Sequence, residues 1–188
     1  MAIVTRRSVC VTLVMVVVVI GTARHAEGKR IKDNAELAEL HKQDQADRSG
    51  DFKDIDWAVV GPRDEARQRR VRELLDADAV HTANDYYHAA MVYQHANGAE
   101  GVQLAHELAM IAAVLGNKDA PWLTAASYDR FLVRLGRPQR FGTQYSAKTG
   151  EPFRLDPIEP GVTDGMRAAL GCPSLQEAKD REKLIQQP

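Results

Sequence analysis

Two aspartates and a histidine in this chain occupy positions whose neighbours suit acid–base chemistry. Wound at about 100° per residue, Asp44 shares a helical face with Leu37, Leu40 and His41 and stands one turn before Arg48. Gln94 continues a stripe of Ala83, Tyr86, Tyr87 and Ala90, and His95 follows it directly. Asp129 falls near the middle of a face made by Trp122, Ala125, Ala126 and Val133. Each polar residue thus sits where the pattern expects an apolar one. A buried, unpaired carboxylate is costly. Asp129 therefore needs a cation, with Arg48 and Arg130 as candidates, or several N–H groups.

Two readings follow. In the first the residues form a site. Asp129, Asp44 and His95 are its candidate catalytic groups, the two carboxylates dividing acid and base roles once their surroundings push their pKa values apart. Arg48, Gln94, Arg130, Gln139 and Gln144 are then the candidate ligand-binding residues, with the arginines holding an anionic or carbonyl group. In the second, the same residues are a buried ion-pair and amide network that fixes how a downstream hairpin docks on the helices.

Other chemistries lack their signatures. His81, His88 and His95 recur every second helical turn, about 10 Å per step, too far apart to share a metal. His106-Glu107 lacks the second histidine of a zinc protease motif and reads as a surface residue opposite Leu104, Ala105, Leu108, Ala112 and Leu115. No metal site, phosphate loop, dinucleotide fingerprint or nucleophile elbow is present, so no cofactor is expected. The cysteines are Cys10 and Cys172, and the net charge is -1. That balance offers no electrostatic footprint for nucleic acid. The basic run through Arg67, Arg69, Arg70 and Arg72 is interleaved with acids and reads as a solvated helix face.

The elements that must position these residues are helical. Aromatics are only 6%, while alanine and leucine, both strong helix formers, are plentiful. The pattern predicts an all-α bundle of about five main helices: 34–48 with Asn34 as N-cap, 63–77, 82–95, 101–115 and 118–135. Residues 51–62, with Trp57, Val59 and Val60 before Gly61-Pro62, read as a loop. Phe141–Tyr145 and Pro152–Leu155 predict a small β-hairpin. Two short closing helices follow at about 163–170 and 174–185, the second opened by a Ser174/Glu177 capping box. Tyr86-Tyr87-His88-Ala89-Ala90 aligns with Trp122-Leu123-Thr124-Ala125-Ala126, a repeat-like pairing of helices.

The first residues read as a leader. Arg6 and Arg7 precede an uncharged run from Val9 to Ile20, and Gly21-Thr22-Ala23 supplies small residues for cleavage after Ala23. The run is short for a membrane span. Thr5-Arg6-Arg7 leaves both the general and the twin-arginine export routes open. Residues 24–33 read as a flexible segment, and 34–185 as a single helical domain with no membrane attachment after cleavage. With Cys10 lost in the leader, Cys172 has no intrachain disulfide partner.

The same residues carry a family resemblance. Asp44-Gln45 with Arg48, Gln94-His95-Ala96, Asp129-Arg130, Gly136-Arg137-Pro138-Gln139, Phe141-Gly142-Thr143-Gln144, Asp156-Pro157-Ile158, Leu170-Gly171 and Pro173-Ser174-Leu175 resemble a bacterial family built on a domain of unknown function. The resemblance covers roughly 36–180. Phe141 stands where the family pattern has tyrosine, and Asn97 where it has an acid. The resemblance implies no activity, but it selects Asp44, Arg48, Gln94 and Asp129, as the helical winding does.

The resulting expectation is an exported, periplasmic or extracellular helical module that binds a protein or small-molecule partner. The alternative is a small envelope hydrolase or lyase using the Asp/His/Arg cluster.

Overall fold

Asn34 ends an extended stretch and starts the first helix. Its side chain accepts hydrogen bonds from the backbone N–H groups of Glu36 and Leu37, at 2.9 and 3.3 Å, two of the donors that a helix start leaves without an internal partner. The computed structural model describes residues 31–148 and 151–186. The leader read over 1–23 lies outside the described residues, as do residues 24–30.

Among the described residues the chain is all-α apart from one small hairpin. The helices are α1 (Ala35–Ala46), α2 (Trp57–Asp76), α3 (Ala83–Tyr93), α4 (Ala99–Val114), α5 (Ala120–Arg134), α6 (Asp164–Ala169) and α7 (Leu175–Ile185). Strands β1 (Tyr145–Ser146) and β2 (Arg154–Leu155) pair antiparallel. None of these helices is long and apolar enough to cross a membrane.

Helix α3 is the axis of the bundle. Thr82 and Asp85 close a capping box at its start, and Asp85 also accepts the backbone N–H of Asn34 at 2.7 Å, tying the first turns of α1 and α3 together. Ala89 through Gln94 are all buried, so α3 has no solvent stripe over its last turns. It packs against α1, α2 and α4, and α4 packs in turn against α5. Val102, Ala105, Leu108, Ala109 and Ala112 form the buried stripe of α4. The aligned alanine pairs, Ala89-Ala90 and Ala125-Ala126, are buried in the two helices that flank α4. Small side chains let these helices approach closely.

The turn from α3 to α4 is equally tight. A methyl group added at Gly101 would collide with Cβ of Ala96. That close approach fixes the segment that carries His95.

Five expectations change. The segment read as a loop over 51–62 is largely helix: α2 begins at Trp57, and Asp56 caps it by accepting from Ala58 N at 3.0 Å. Pro62 lies inside the helix, where its ring removes one backbone donor without ending the spiral. The stripe of α2 is then Val60, Asp64, Arg67, Val71 and Leu74, all buried. Arg67 is thus an interior residue and not part of a solvated face; Asp64 and Asp47 pair with it at 2.6 and 2.8 Å.

Trp122 is 43% exposed although it shares the nominal face of Asp129, because the alanine-lined seam against α4 has no room for an indole. His106 is half-buried: its Nδ1 lies 2.9 Å from the Thr124 carbonyl, and its ring packs on Tyr128. Finally, Phe141–Gln144 does not extend the hairpin, since its N–H groups bond to side chains and not to a facing strand.

Candidate functional site

The polar residues picked out by winding the helices fold into two adjoining networks. The first gathers at the ends of α1 and α3. Asp44, on α1, is 0% exposed. Its Oδ1 lies 3.0 Å from Nη1 of Arg48 and 3.0 Å from Nδ1 of His95, and its Oδ2 accepts from Gln45 Nε2 at 2.8 Å. Arg48 also pairs through Nη2 with Asp64 of α2. From Asp64 the chain of alternating charges continues through Arg67 to Asp47 and on to Arg63.

The second network belongs to the loop after α5. Asp129 is 0% exposed. Its Oδ1 accepts from the backbone N–H groups of Arg140 and Phe141 at 2.7 and 3.0 Å. Its Oδ2 accepts from Phe141 N, Thr143 N and Thr143 Oγ1 at 3.1, 3.1 and 2.8 Å. Peptide donors, not an arginine, therefore satisfy this carboxylate. Gly142 makes the wrap possible: its φ of +80° is a conformation that side chains disfavour.

Gln139, also fully buried, holds the base of the same loop. Its amide donates to the Gln144 and Asp156 carbonyls at 2.9 and 2.8 Å and accepts from Gln144 N at 2.8 Å. Arg167 closes the far side by donating to the carbonyls of Phe141, Val162 and Arg140.

Arg130 joins the two networks. Its Nε donates to Gln144 Oε1 at 3.0 Å and its Nη1 to the Gln94 carbonyl at 2.7 Å. Both acceptors are neutral. Among the described residues no carboxylate lies within ion-pair distance of Arg130, and its Nη2 makes no hydrogen bond.

Between the networks opens a cleft of about 990 Å³. Arg48, Gln94, His95, Arg130, Arg134 and Gln144 give it a polar floor with three arginines, and Asp64 and Asp156 line it as well. Ile55 and Trp57 belong to one wall, and Val133, Tyr145 and Phe153 are apolar lining from α5 and the hairpin. Of the candidate residues, Arg48, Gln94, His95, Arg130 and Gln144 face the cleft. Asp44 stands behind His95 and Arg48. Asp129 and Gln139 lie under the loop and do not line the cleft.

The electrostatics follow from this burial. At Asp44 burial favours the neutral acid, but the hydrogen bond and charge of His95, with Arg48 and Gln45, outweigh it and leave its pKa below the usual value. Burial lowers the pKa of His95; Asp44 opposes this, while Arg48 and Arg130 push it further down. His95 is therefore a neutral imidazole at pH 7. Burial first, then the charges of Arg134 and Arg48, lower Arg130 to about 10. Cys172 is buried, and its thiol is pushed up to about 11, which keeps it unreactive. Among the described residues no cluster suits a metal ion.

Sequence reasoning missed Asp64, Arg134 and the aromatic lining. Asp64 had a legible signal, since it shares one face of the expected 63–77 helix with Arg67, Val71 and Leu74; only Val60 lay before that helix's start. Tyr145 and Phe153 had none, since they enter the cleft through the docking of a two-residue ladder. Comparison with family models, curated proteins and solved structures returns no match.

Proposed function

We propose that this chain is an exported helical domain that binds a small anionic ligand in the cleft, with the anionic group on Arg130 and Arg134. The observation that carries this reading is Arg130: a half-buried guanidinium with neutral partners, an Nη2 that makes no hydrogen bond, and no counter-ion among the described residues. A buried cation without a partner is unfavourable, and a ligand carboxylate or phosphate would relieve that penalty through charge-assisted hydrogen bonds. Arg134, one turn on, adds a second positive charge at the same rim. Gln94 and Gln144 offer neutral hydrogen-bonding groups beside it, and the aromatic lining suits an apolar portion of the ligand.

Export rests on the leader reading: two arginines, an uncharged run and a small-residue cleavage site. The family resemblance points to the same place, since Gln94-His95 and Gln144 belong to its motifs and line the cleft.

The test has two parts. The full chain is expressed with its own leader, and the exported product is sequenced from its N-terminus, which is expected to begin at Arg24. That product is then titrated calorimetrically with succinate and with inorganic phosphate at low salt. Binding that weakens in Arg134→Ala and at high salt supports the reading. Equal heats for the parent and Arg134→Ala, or none in either, would overturn it.

A further inference from the structure

Resting on that reading, the geometry points to a hydrolytic site in the same cleft, with His95 as the general base that activates water against a carbonyl of the bound anion. The carbonyl is that of an ester or amide whose molecule also carries the anionic group held by Arg130 and Arg134.

Nδ1 of His95 stands 3.0 Å from Oδ1 of a fully buried aspartate. A carboxylate there accepts the hydrogen bond of Nδ1–H and leaves the lone pair on Nε2, the opposite edge of a ring that lines the cleft. Arg48, whose Nη1 bonds the same oxygen, keeps that carboxylate ionised. Asp44 is thus a positioning residue: it sets the tautomer and steadies the imidazolium when it forms. The charged and titratable groups around His95 are Asp44, Arg48 and His41 from α1 and its end, and Arg130 from α5. The arginines disfavour a resting imidazolium and keep the base unprotonated.

The chemistry is narrowed by what else faces the cleft. Of the hydroxyls on lining residues, that of Ser146 is bonded to Asp156 on the hairpin and that of Tyr145 to the Ala178 carbonyl. No cysteine lines the cleft, so the nucleophile is water. The cleft is open to solvent, which favours water addition over abstraction of a carbon-bound proton, a step that needs a dry site.

In the step, His95 Nε2 takes a proton from water as the water oxygen bonds to the carbonyl carbon, and the carbonyl π pair moves onto its oxygen. Collapse of the tetrahedral species breaks the bond to the leaving alkoxide or amine, which receives the proton from His95. Ester and water become acid and alcohol, and the histidine returns to its starting state.

The test uses 4-nitrophenyl hemisuccinate, an anionic ester, against neutral 4-nitrophenyl acetate, with succinate binding measured in parallel. The parent is expected to hydrolyse the anionic ester in preference, with a rate that falls on the acid side at an apparent pKa below that of free histidine. His95→Gln should lose about a hundredfold in kcat while binding succinate as the parent does. Should that variant not fold, the pH–rate profile of the parent decides: a rate flat from pH 5 to 7 overturns the proposal. Succinate binding with hydrolysis no faster than buffer, or with undiminished hydrolysis by His95→Gln, overturns the catalytic inference and leaves the ligand reading standing. Absence of succinate and phosphate binding in the parent overturns both.

Discussion

Nδ1 of His95 and Oδ1 of Asp44 lie 3.0 Å apart across the junction of α1 and α3. The aspartate is sealed from solvent and the histidine borders the cleft. This pair passes from a buried charge network to an open surface within one side chain. The neighbouring pair, Asp129 and its loop, shows the opposite arrangement, since every contact of that carboxylate is internal. Different consequences follow for the two.

Asp129→Asn should destabilise the protein strongly. The amide cannot accept from the N–H groups of Arg140, Phe141 and Thr143 with both of its heteroatoms, so at least one peptide donor is left buried and unpaired. The expected loss is about 3 kcal/mol or more, read as a lower midpoint in urea unfolding. Unchanged stability would mean that the loop does not depend on the carboxylate.

Arg134→Ala should leave the fold intact and weaken succinate or phosphate binding. The side chain is exposed and makes no ion pair among the described residues, so its removal leaves no buried group without a partner. A tenfold rise in Kd, about 1.4 kcal/mol, with an unchanged melting temperature is the expected result in paired calorimetric titrations and thermal melts.

Stability should fall as the pH drops below about 6.5, the usual value for histidine. Burial lowers His41, His88 and His95 below that value in the folded chain. The unfolded chain therefore binds more protons in the window below 6.5, and unfolding becomes easier as pH falls through it. His41 and His88 stack with ring centroids 4.7 Å apart, so protonating both also brings like charges together. Thermal melts from pH 8 to pH 5 measure this. His88→Phe, which removes a buried Nδ1 that has no partner, should flatten the slope and raise stability near neutrality by about 1 kcal/mol.

Gly101→Ala should cost roughly 1–3 kcal/mol, as overpacking does, because its methyl group would meet Ala96. The displaced turn carries His95, so ligand affinity should fall with stability. A stable variant with reduced affinity would locate the effect in the turn itself; a stable variant with parental affinity would show that the turn can shift without moving the site.

The elements were legible because their signals are local. Asn34, Thr82 and Ser174 cap helices within three residues of themselves, and the stripes of α1, α3, α4 and α5 repeat at the helical period. The winding argument also located the polar residues of interest, since Asp44, Gln94 and Asp129 each interrupt such a stripe and each is buried. Where a boundary was misplaced, as at Trp57, Val60 dropped out of the stripe, and Arg67 was read as solvated because acids are interleaved with its basic run.

By itself, then, the sequence determined the all-α architecture and marked Asp44, Gln94 and Asp129 as polar side chains taken out of water, but not Asp64, Arg67 or Arg167. Only the tertiary structure decided their partners. Asp129 met peptide N–H groups of a glycine-bent turn, and Asp44 met a histidine 51 residues away. The reason is physical. Helical period and capping depend on neighbours within a turn or two, whereas the partner of a buried charge depends on how helices distant in sequence pack. Several donors, including Arg48, Arg130 and the loop amides, could have answered either carboxylate. Packing assigned the loop to Asp129 and the arginine and histidine to Asp44, and so left Arg130 facing the cleft with no counter-ion among the described residues.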